Sequence, residues 1–329
     1  MYKNGKVWNV SSALLNVNDL RIYYYTLTGV VRGVDGVSFQ LQDGEVLGIA
    51  GESGCGKSTL GYGLLGLIPP PGRIAGGSVV LDGIDITKLK PAELRKVRWA
   101  KVSMVFQGAM NALNPVYTVG HQLAEPLVIH KGMSVKEALE VAGEMLKRVG
   151  LGPEVLGRYP HELSGGMKQR VMIAMALLLK PRLVIADEPT TALDVVIQAQ
   201  IMNLFKEIKQ RERNAMIFIT HDLSLIAEVA DKTAIMYAGK MVELGPSDNV
   251  FNNPAHPYTQ GLLRSIPRLR GKEKITWIPG VPPDLRAPPP GCRFHPRCPY
   301  AMDVCRSEEP PTVEVEKGHT VSCWLYAKR

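Results

Sequence analysis

The chain has 329 residues, enough for one large domain or two ordinary ones, with 45% hydrophobic and 21% charged residues as in a globular protein. No apolar run approaches the roughly 20 residues that span a bilayer, and the opening MYKNGKVWNVSS lacks the apolar core of a signal peptide. The expectation is a soluble chain that reaches a membrane only through partners. A net charge of +8 could mark a nucleic-acid or membrane face, but no Lys/Arg run exceeds two or three residues, so the charge reads as a solvated surface.

In chain order, the first strong element is VLGIA (Val46–Ala50), a short apolar run that reads as a buried strand. GESGCGKST (Gly51–Thr59) follows, then the helical pattern LGYGLLGLI. Gly51-x4-Gly56-Lys57-Ser58 fits the Walker A pattern in its required strand–loop–helix context. Its glycines let successive N–H groups face phosphates, next to the positive end of the following helix. Ser53, Gly54, Cys55, Gly56 and Thr59 would line ATP. Lys57 would contact the β- and γ-phosphates, and Ser58 would hold Mg²⁺. Cys55 reads as a space-filling residue.

Three more apolar strands end in polar residues: VSMVF at Gln107, LVIA (Leu183–Ala186) at Asp187, and MIFIT at His221. All four ends fall on the carboxyl edge of one parallel sheet, where open α/β folds bind ligands. Asp187 would complete the Mg²⁺ shell. Glu188 would polarise the attacking water, His221 would orient it, and Gln107 would reach both metal and water.

Between Gln107 and Lys180 the strand signal disappears. SVKEALEVAGEMLKRVGL opens with Ser134 and Glu137 spaced as a capping box, and Val135, Leu139, Ala142, Leu146 and Val149 follow at helical spacing. This predicts a mainly helical insert. It carries LSGGMKQR (Leu163–Arg170), whose Ser164, Gly165 and Gly166 at a helix N-terminus form a second anion site. If the insert sits to one side, that site serves a nucleotide on another molecule.

Here the chain resembles the ATP-binding subunits of ABC transporters. Walker A, Q-loop Gln107, signature Leu163–Met167, Walker B Leu183–Asp187 with Glu188, D-loop Ala192–Leu193–Asp194 and switch His221 occur in order. The resemblance implies an α/β P-loop NTPase (RecA-like) ABC domain over residues 12–250, with a helical subdomain at about 108–180. It also implies head-to-tail pairing with Asp194 at the dimer interface, and adenine stacked on Tyr24, or on Tyr25. Met167 stands where most members have Gln; Ser164 and Gly166 are intact.

NPAHPYTQGLL and the tail GCRFHPRCPYAMDVC narrow the resemblance to the D-type ATPases of oligopeptide/dipeptide importers, over roughly residues 13–326. Implied partners are a second, F-type ATPase, two integral membrane permeases and an extracytoplasmic solute-binding protein, with this subunit peripheral on the cytoplasmic face. The same group includes nickel and oligosaccharide importers, and the chain's composition does not choose among these cargoes. A soluble ABC ATPase acting on nucleic acid is the rival; the chain lacks that class's long heptad insert and CxxC zinc module.

Residues 251–329 read as a C-terminal extension. Its proline-rich stretch Trp277–Gly291 can be neither helix nor central strand and leads into Cys292, Cys298, Cys305 and Cys323. Clustered cysteines in a reducing compartment favour metal over disulfide. Their spacing (x5, x6, x17) matches neither zinc ribbons nor ferredoxin runs, so the residues alone leave Zn²⁺, iron–sulfur or unpaired buried thiols open. His295 and His319 are spare ligands. The resemblance implies a 4Fe–4S cluster on the four cysteines, with Zn²⁺ the alternative. The prolines suggest that this lobe is detached from the catalytic edge and structural in role.

Overall fold

The computed structural model describes residues 13–108, 112–191, 193–212, 214–265 and 277–327. Two sheets sandwich the phosphate-loop helix. Strands β1 (Leu15–Thr26) and β2 (Gly29–Leu41) form a long antiparallel pair, followed by β3 (Val46–Ala50) and helix α1 (Lys57–Leu64). After these come β4 (Gly72–Leu81), β5 (Ile84–Asp85), α2 (Pro91–Val97) and β6 (Val102–Val105). The antiparallel sheet has the order β2-β1-β4-β5.

Helix α1 carries two buried glycines, Gly61 and Gly63, and packing explains why. A Cβ on Gly63 would lie 2.3 Å from Ile22 Cδ1 of the antiparallel sheet, and one on Gly61 would lie 3.2 Å from Ile219 Cδ1 of the other sheet. The helix is therefore pressed between both layers. Glycine's helix penalty of about 1 kcal/mol is accepted for that close approach.

The predicted insert is helical: α3 (Val119–Lys131), α4 (Val135–Arg148) and α5 (Gly165–Leu177). The capping box forms as expected, with the Ser134 hydroxyl accepting from the Glu137 N–H and the Glu137 carboxylate accepting from the Ser134 N–H. Ala142 and Leu146 are fully buried, while Val135 is exposed at the helix start. Arg170 of α5 donates to the Val149 carbonyl at the end of α4, locking the two together.

The chain then returns to the sheet through β7 (Leu183–Asp187), α6 (Val195–Glu212), β8 (Ala215–Ile219), α7 (Leu223–Val229), β9 (Lys232–Tyr237) and β10 (Lys240–Pro246). Helices α8 (Ser247–Asn252), α9 (Pro257–Arg264) and α10 (Asp303–Ser307) and the hairpin β11 (Thr312–Glu316)–β12 (His319–Ser322) complete the described elements. The second sheet has the order β11-β12-β10-β9-β3-β8-β7-β6, parallel from β9 to β6. Every residue of β3, β7 and β8 is buried, as expected of strands covered on both faces.

Two expectations about the tail change. Strands β11 and β12 extend the main sheet beyond β10, so the segment after residue 251 shares the core layer rather than standing apart. The join is sealed by buried Glu243 of β10. Its carboxylate pairs with His319 of β12 (2.8 Å) and accepts the backbone N–H groups of Ala255 and His256. The Trp277–Gly291 stretch contains neither helix nor strand, as its prolines require, yet it does not detach the cysteine lobe. Arg32 N–H donates to the Leu285 carbonyl, and Arg293 is buried in an ion pair with Asp35 of β2.

Candidate functional site

Strand β3 delivers the loop Gly51–Thr59 at the carboxyl edge of the parallel strands. Gly51, Gly54 and Gly56 all have positive φ (152°, 77° and 107°). A Cβ on Gly56 would stand 2.0 Å from the Gly33 carbonyl oxygen, so the turn admits no side chain there. Cys55 is buried against the loop, and burial pushes its thiol pKa up, consistent with a space-filling role. Ser53 and Gly54 face solvent at the loop tip, and Ser58 and Thr59 open helix α1. The Lys57 ammonium is buried and donates to the carbonyls of Gly51 (2.7 Å) and Glu52 (3.0 Å), spanning the loop.

Parallel register sets Asp187 beside Ile219, one strand from β3. Asp187 is fully buried, and its Oδ1 accepts from the Ser58 hydroxyl at 3.2 Å while its Oδ2 has no partner. Burial raises its carboxyl pKa to about 6, with Glu188's charge adding to the rise and Ser58 opposing it. A buried carboxylate with an orphaned oxygen beside a Ser hydroxyl fits the two protein oxygens that a Mg²⁺ ion takes at such a site. Glu188, the next residue, adopts φ +47°, a left-handed conformation uncommon for a non-glycine residue, and donates its N–H to the Ile219 carbonyl. The strained turn brings its carboxylate to three donors. Thr191 hydroxyl lies at 2.7 Å, His221 Nδ1 at 3.0 Å and Gln107 Nε2 at 3.3 Å. Burial pushes the Glu188 pKa up, but the bonds from Thr191 and His221 outweigh it and hold the carboxyl below its ordinary range.

Gln107, Glu188 and His221, from three separate strand ends, thus form one cluster. Gln107 reaches the Glu188 carboxylate rather than the Ser58–Asp187 pair. Tyr24 lies next to the phosphate-loop helix, its hydroxyl 3.3 Å from that of Thr59. Tyr25 points to the opposite face of β1, where Arg73 sits over its ring at 4.0 Å. The structure separates the two tyrosines that sequence left paired.

Ser164 caps α5, its hydroxyl accepting from the Met167 N–H at 3.4 Å, followed by Gly165 and buried Gly166. Asp194 caps α6 through the Ile197 N–H, next to exposed Val195 and Val196. The D-loop's Ala192 lies outside the described residues.

Cys292, Cys298, Cys305 and Cys323 line one small enclosed cavity with His256, Phe294 and Trp324. All are free thiols. Backbone N–H groups point at their sulfurs: Phe294 and His295 at Cys292, Tyr300 at Cys298, Met302 at Cys305 and Leu325 at Cys323. Burial raises the thiols of Cys292 and Cys323 to about 11. Among the described residues no group of three or more His, Cys, Asp or Glu side chains closes to form a metal-ion site. His295 is bonded to the Cys292 carbonyl and His319 to Glu243, so both spare ligands have other partners.

Sequence reasoning missed Thr191, Glu52, Tyr258 and Arg297. Arg297 forms a two-pronged ion pair with Glu52 of the phosphate loop, and the Glu52 N–H donates to the Tyr258 hydroxyl at 2.9 Å. Only Thr191, three residues after Glu188, carried a local signal.

The ABC transporter family profile matches residues 34–191, and the oligopeptide/dipeptide transporter C-terminal region profile matches residues 242–305. A third profile, AAA domain, putative AbiEii toxin, Type IV TA system, overlaps at residues 156–227. The dipeptide transport ATP-binding protein DppD of Bacillus subtilis is 50% identical over 321 residues, 96% of each chain. The oligopeptide transport ATP-binding protein OppD of Escherichia coli is 50% identical over 95% of this chain and 94% of its own. The chain belongs to the ATP-binding proteins of oligopeptide and dipeptide ABC transporters. It is therefore an ATPase coupled to transmembrane transport. An ATP-binding cassette solved as a post-hydrolysis dimer with ADP and Pi superposes with TM-score 0.64 at 29% identity, over 71% of this chain and 98% of that one. The cbiO1 component of a Clostridium perfringens ABC transporter complex gives 0.63 at 28% identity, over 74% and 92%. No described helix is long and apolar enough to cross a membrane.

Proposed function

We propose that this ABC ATPase energises import of oligopeptides or dipeptides as one of two nucleotide-binding subunits, paired head to tail with a related F-type ATPase. The pair sits peripherally on the cytoplasmic face beneath two integral membrane permeases fed by an extracytoplasmic solute-binding protein. The observation that carries this reading is the match along nearly the whole chain, including the C-terminal region at residues 242–305, to transport proteins for these cargoes.

Within the site, Tyr24 supports adenine and Gly54–Thr59 cradle the phosphates. Lys57 turns from its own loop's carbonyls to the β- and γ-phosphates. Ser58 and Asp187 would hold Mg²⁺, which supplies charge neutralisation on the phosphates when bound. Glu188, kept ionised at neutral pH, accepts a proton from the attacking water that His221 and Gln107 help align. Ser164 and Gly166 serve the partner's nucleotide: the Ser164 hydroxyl accepts a bond from Met167 and still has its own proton to donate. Asp194 with Val195 and Val196 forms the adjoining dimer contact.

Cys292, Cys298, Cys305 and Cys323 hold a 4Fe–4S cluster. Four thiols on one enclosed cavity, each met by a backbone N–H, support this. A single tetrahedral Zn²⁺ at about 2.3 Å from each sulfur would draw the thiols into a tight group. Zn²⁺ is the alternative occupant of the same four thiols.

The test is reconstitution of the co-expressed complex in vesicles with its solute-binding protein. Peptide-loaded binding protein should stimulate ATP hydrolysis, and anaerobic preparations should be brown, with iron and sulfide near four per chain. Stimulation by nickel or an oligosaccharide alone would reassign the cargo; a colourless protein with one zinc would remove the cluster.

A further inference from the structure

Arg297 stands one residue before Cys298 yet ends in the phosphate loop. Its guanidinium, only 5% exposed, donates to both Glu52 carboxylate oxygens at 2.7 and 2.9 Å. It is braced by the Pro279 carbonyl (2.8 Å) and by the Tyr237 hydroxyl. The guanidinium lies 5.8 Å from the Tyr237 ring centroid; Tyr237, Tyr258 and Phe294 form a cluster of tilted and edge-on rings 4.6 to 5.3 Å apart, and Tyr258 accepts the Glu52 N–H. On its other side Glu52 is part of the nucleotide machinery, because its carbonyl accepts from the Lys57 ammonium and from the Cys55 N–H.

A carboxylate in a loop built to hold polyphosphate is an electrostatic liability. At the low effective dielectric of a partly buried site, an unneutralised negative charge in that loop repels the phosphates far more than it would in water. Glu52 is tolerable because a desolvated, bidentate arginine cancels its charge and fixes its direction. The pairing holds the Arg297 pKa above its usual range, with Glu52 the largest cause.

We propose that Arg297 is a positioning residue of the ATP site: it neutralises and aims Glu52, so that the phosphate loop's affinity for nucleotide depends on the cysteine lobe being folded against it. This rests on the reading of Gly51–Thr59 as the ATP loop. Binding of a fluorescent (mant) ATP by the full wild-type chain, and its loss in Lys57→Ala, checks that reading separately.

The experiment measures mant-ATP affinity and the KM/kcat split for Arg297→Met, Glu52→Gln and the double variant. Arg297→Met should weaken binding about 5- to 50-fold and raise KM for ATP, with kcat changing about twofold or less. The double variant should recover most of that loss, because removing both charges of a buried pair leaves none uncompensated. A purely mechanical brace would not be rescued by Glu52→Gln. Wild-type affinity in Arg297→Met, or a loss that the double variant keeps, overturns the proposal. If Arg297→Met fails to fold, Glu52→Gln alone decides. With Glu52 neutral, the Arg297 charge beside the phosphate loop is left uncancelled, so the loop should bind nucleotide about twofold or more tightly, and unchanged or weaker binding overturns the assignment.

Discussion

Replacing Asp187 with asparagine probes the electrostatic design of the site directly. The wild-type carboxyl is fully buried, one oxygen is unpartnered, and Glu188's charge adjoins it, so its folded-state pKa is about 6 against an ordinary 3.8. That gap is roughly two pH units, worth about 3 kcal/mol at about 1.36 kcal/mol each. The sign depends on which state ionises first. Well below pH 3.8 Asp187 is protonated in both states and costs nothing. As pH rises to 6 the unfolded chain ionises first, so stability is lost through that window and stays lower above it. Without nucleotide or Mg²⁺, Asp187→Asn should be more stable than wild type by up to about 3 kcal/mol at pH 8, with the gap closing toward pH 4. Urea titrations of both proteins in EDTA across this range measure it. A variant less stable than wild type at pH 8, or a gap that does not change with pH, would refute the reasoning. The same variant should lose the extra stability that wild type gains from Mg²⁺ with ATP.

Glu188→Gln should keep ATP bound while hydrolysis falls about 10²- to 10⁴-fold, measured by phosphate release against nucleotide retention; normal turnover would remove Glu188 as the base. Gly56→Ala forces a Cβ onto the Gly33 carbonyl at φ +107°, and should lower stability by at least about 2 kcal/mol, seen as a drop in thermal midpoint, and abolish mant-ATP binding. Val196→Asp, at an exposed apolar position beside Asp194, should leave nucleotide binding by the single chain intact while blocking ATP-dependent association, read by sedimentation.

Much of the site was legible because its parts are local. Gly51–Thr59 announces itself by glycine spacing after an apolar strand, and Asp187, Glu188, Gln107 and His221 each terminate such a strand. Backbone period and burial are read within a window of a few residues, so fold class, helical insert and catalytic edge followed from the sequence by itself. The tertiary structure decided the rest. It put Tyr24 and Tyr25 on opposite faces, since strand side chains alternate, and it turned Gln107 toward Glu188. It also joined β11 and β12 to the main sheet through the buried Glu243–His319 pair, 76 residues apart in the chain. Above all, it set Arg297 on Glu52 across 245 residues. No pattern along the chain encodes that contact. A buried ion pair is chosen by desolvation, which exists only once distant segments carrying Tyr237, Tyr258 and Pro279 have come against it.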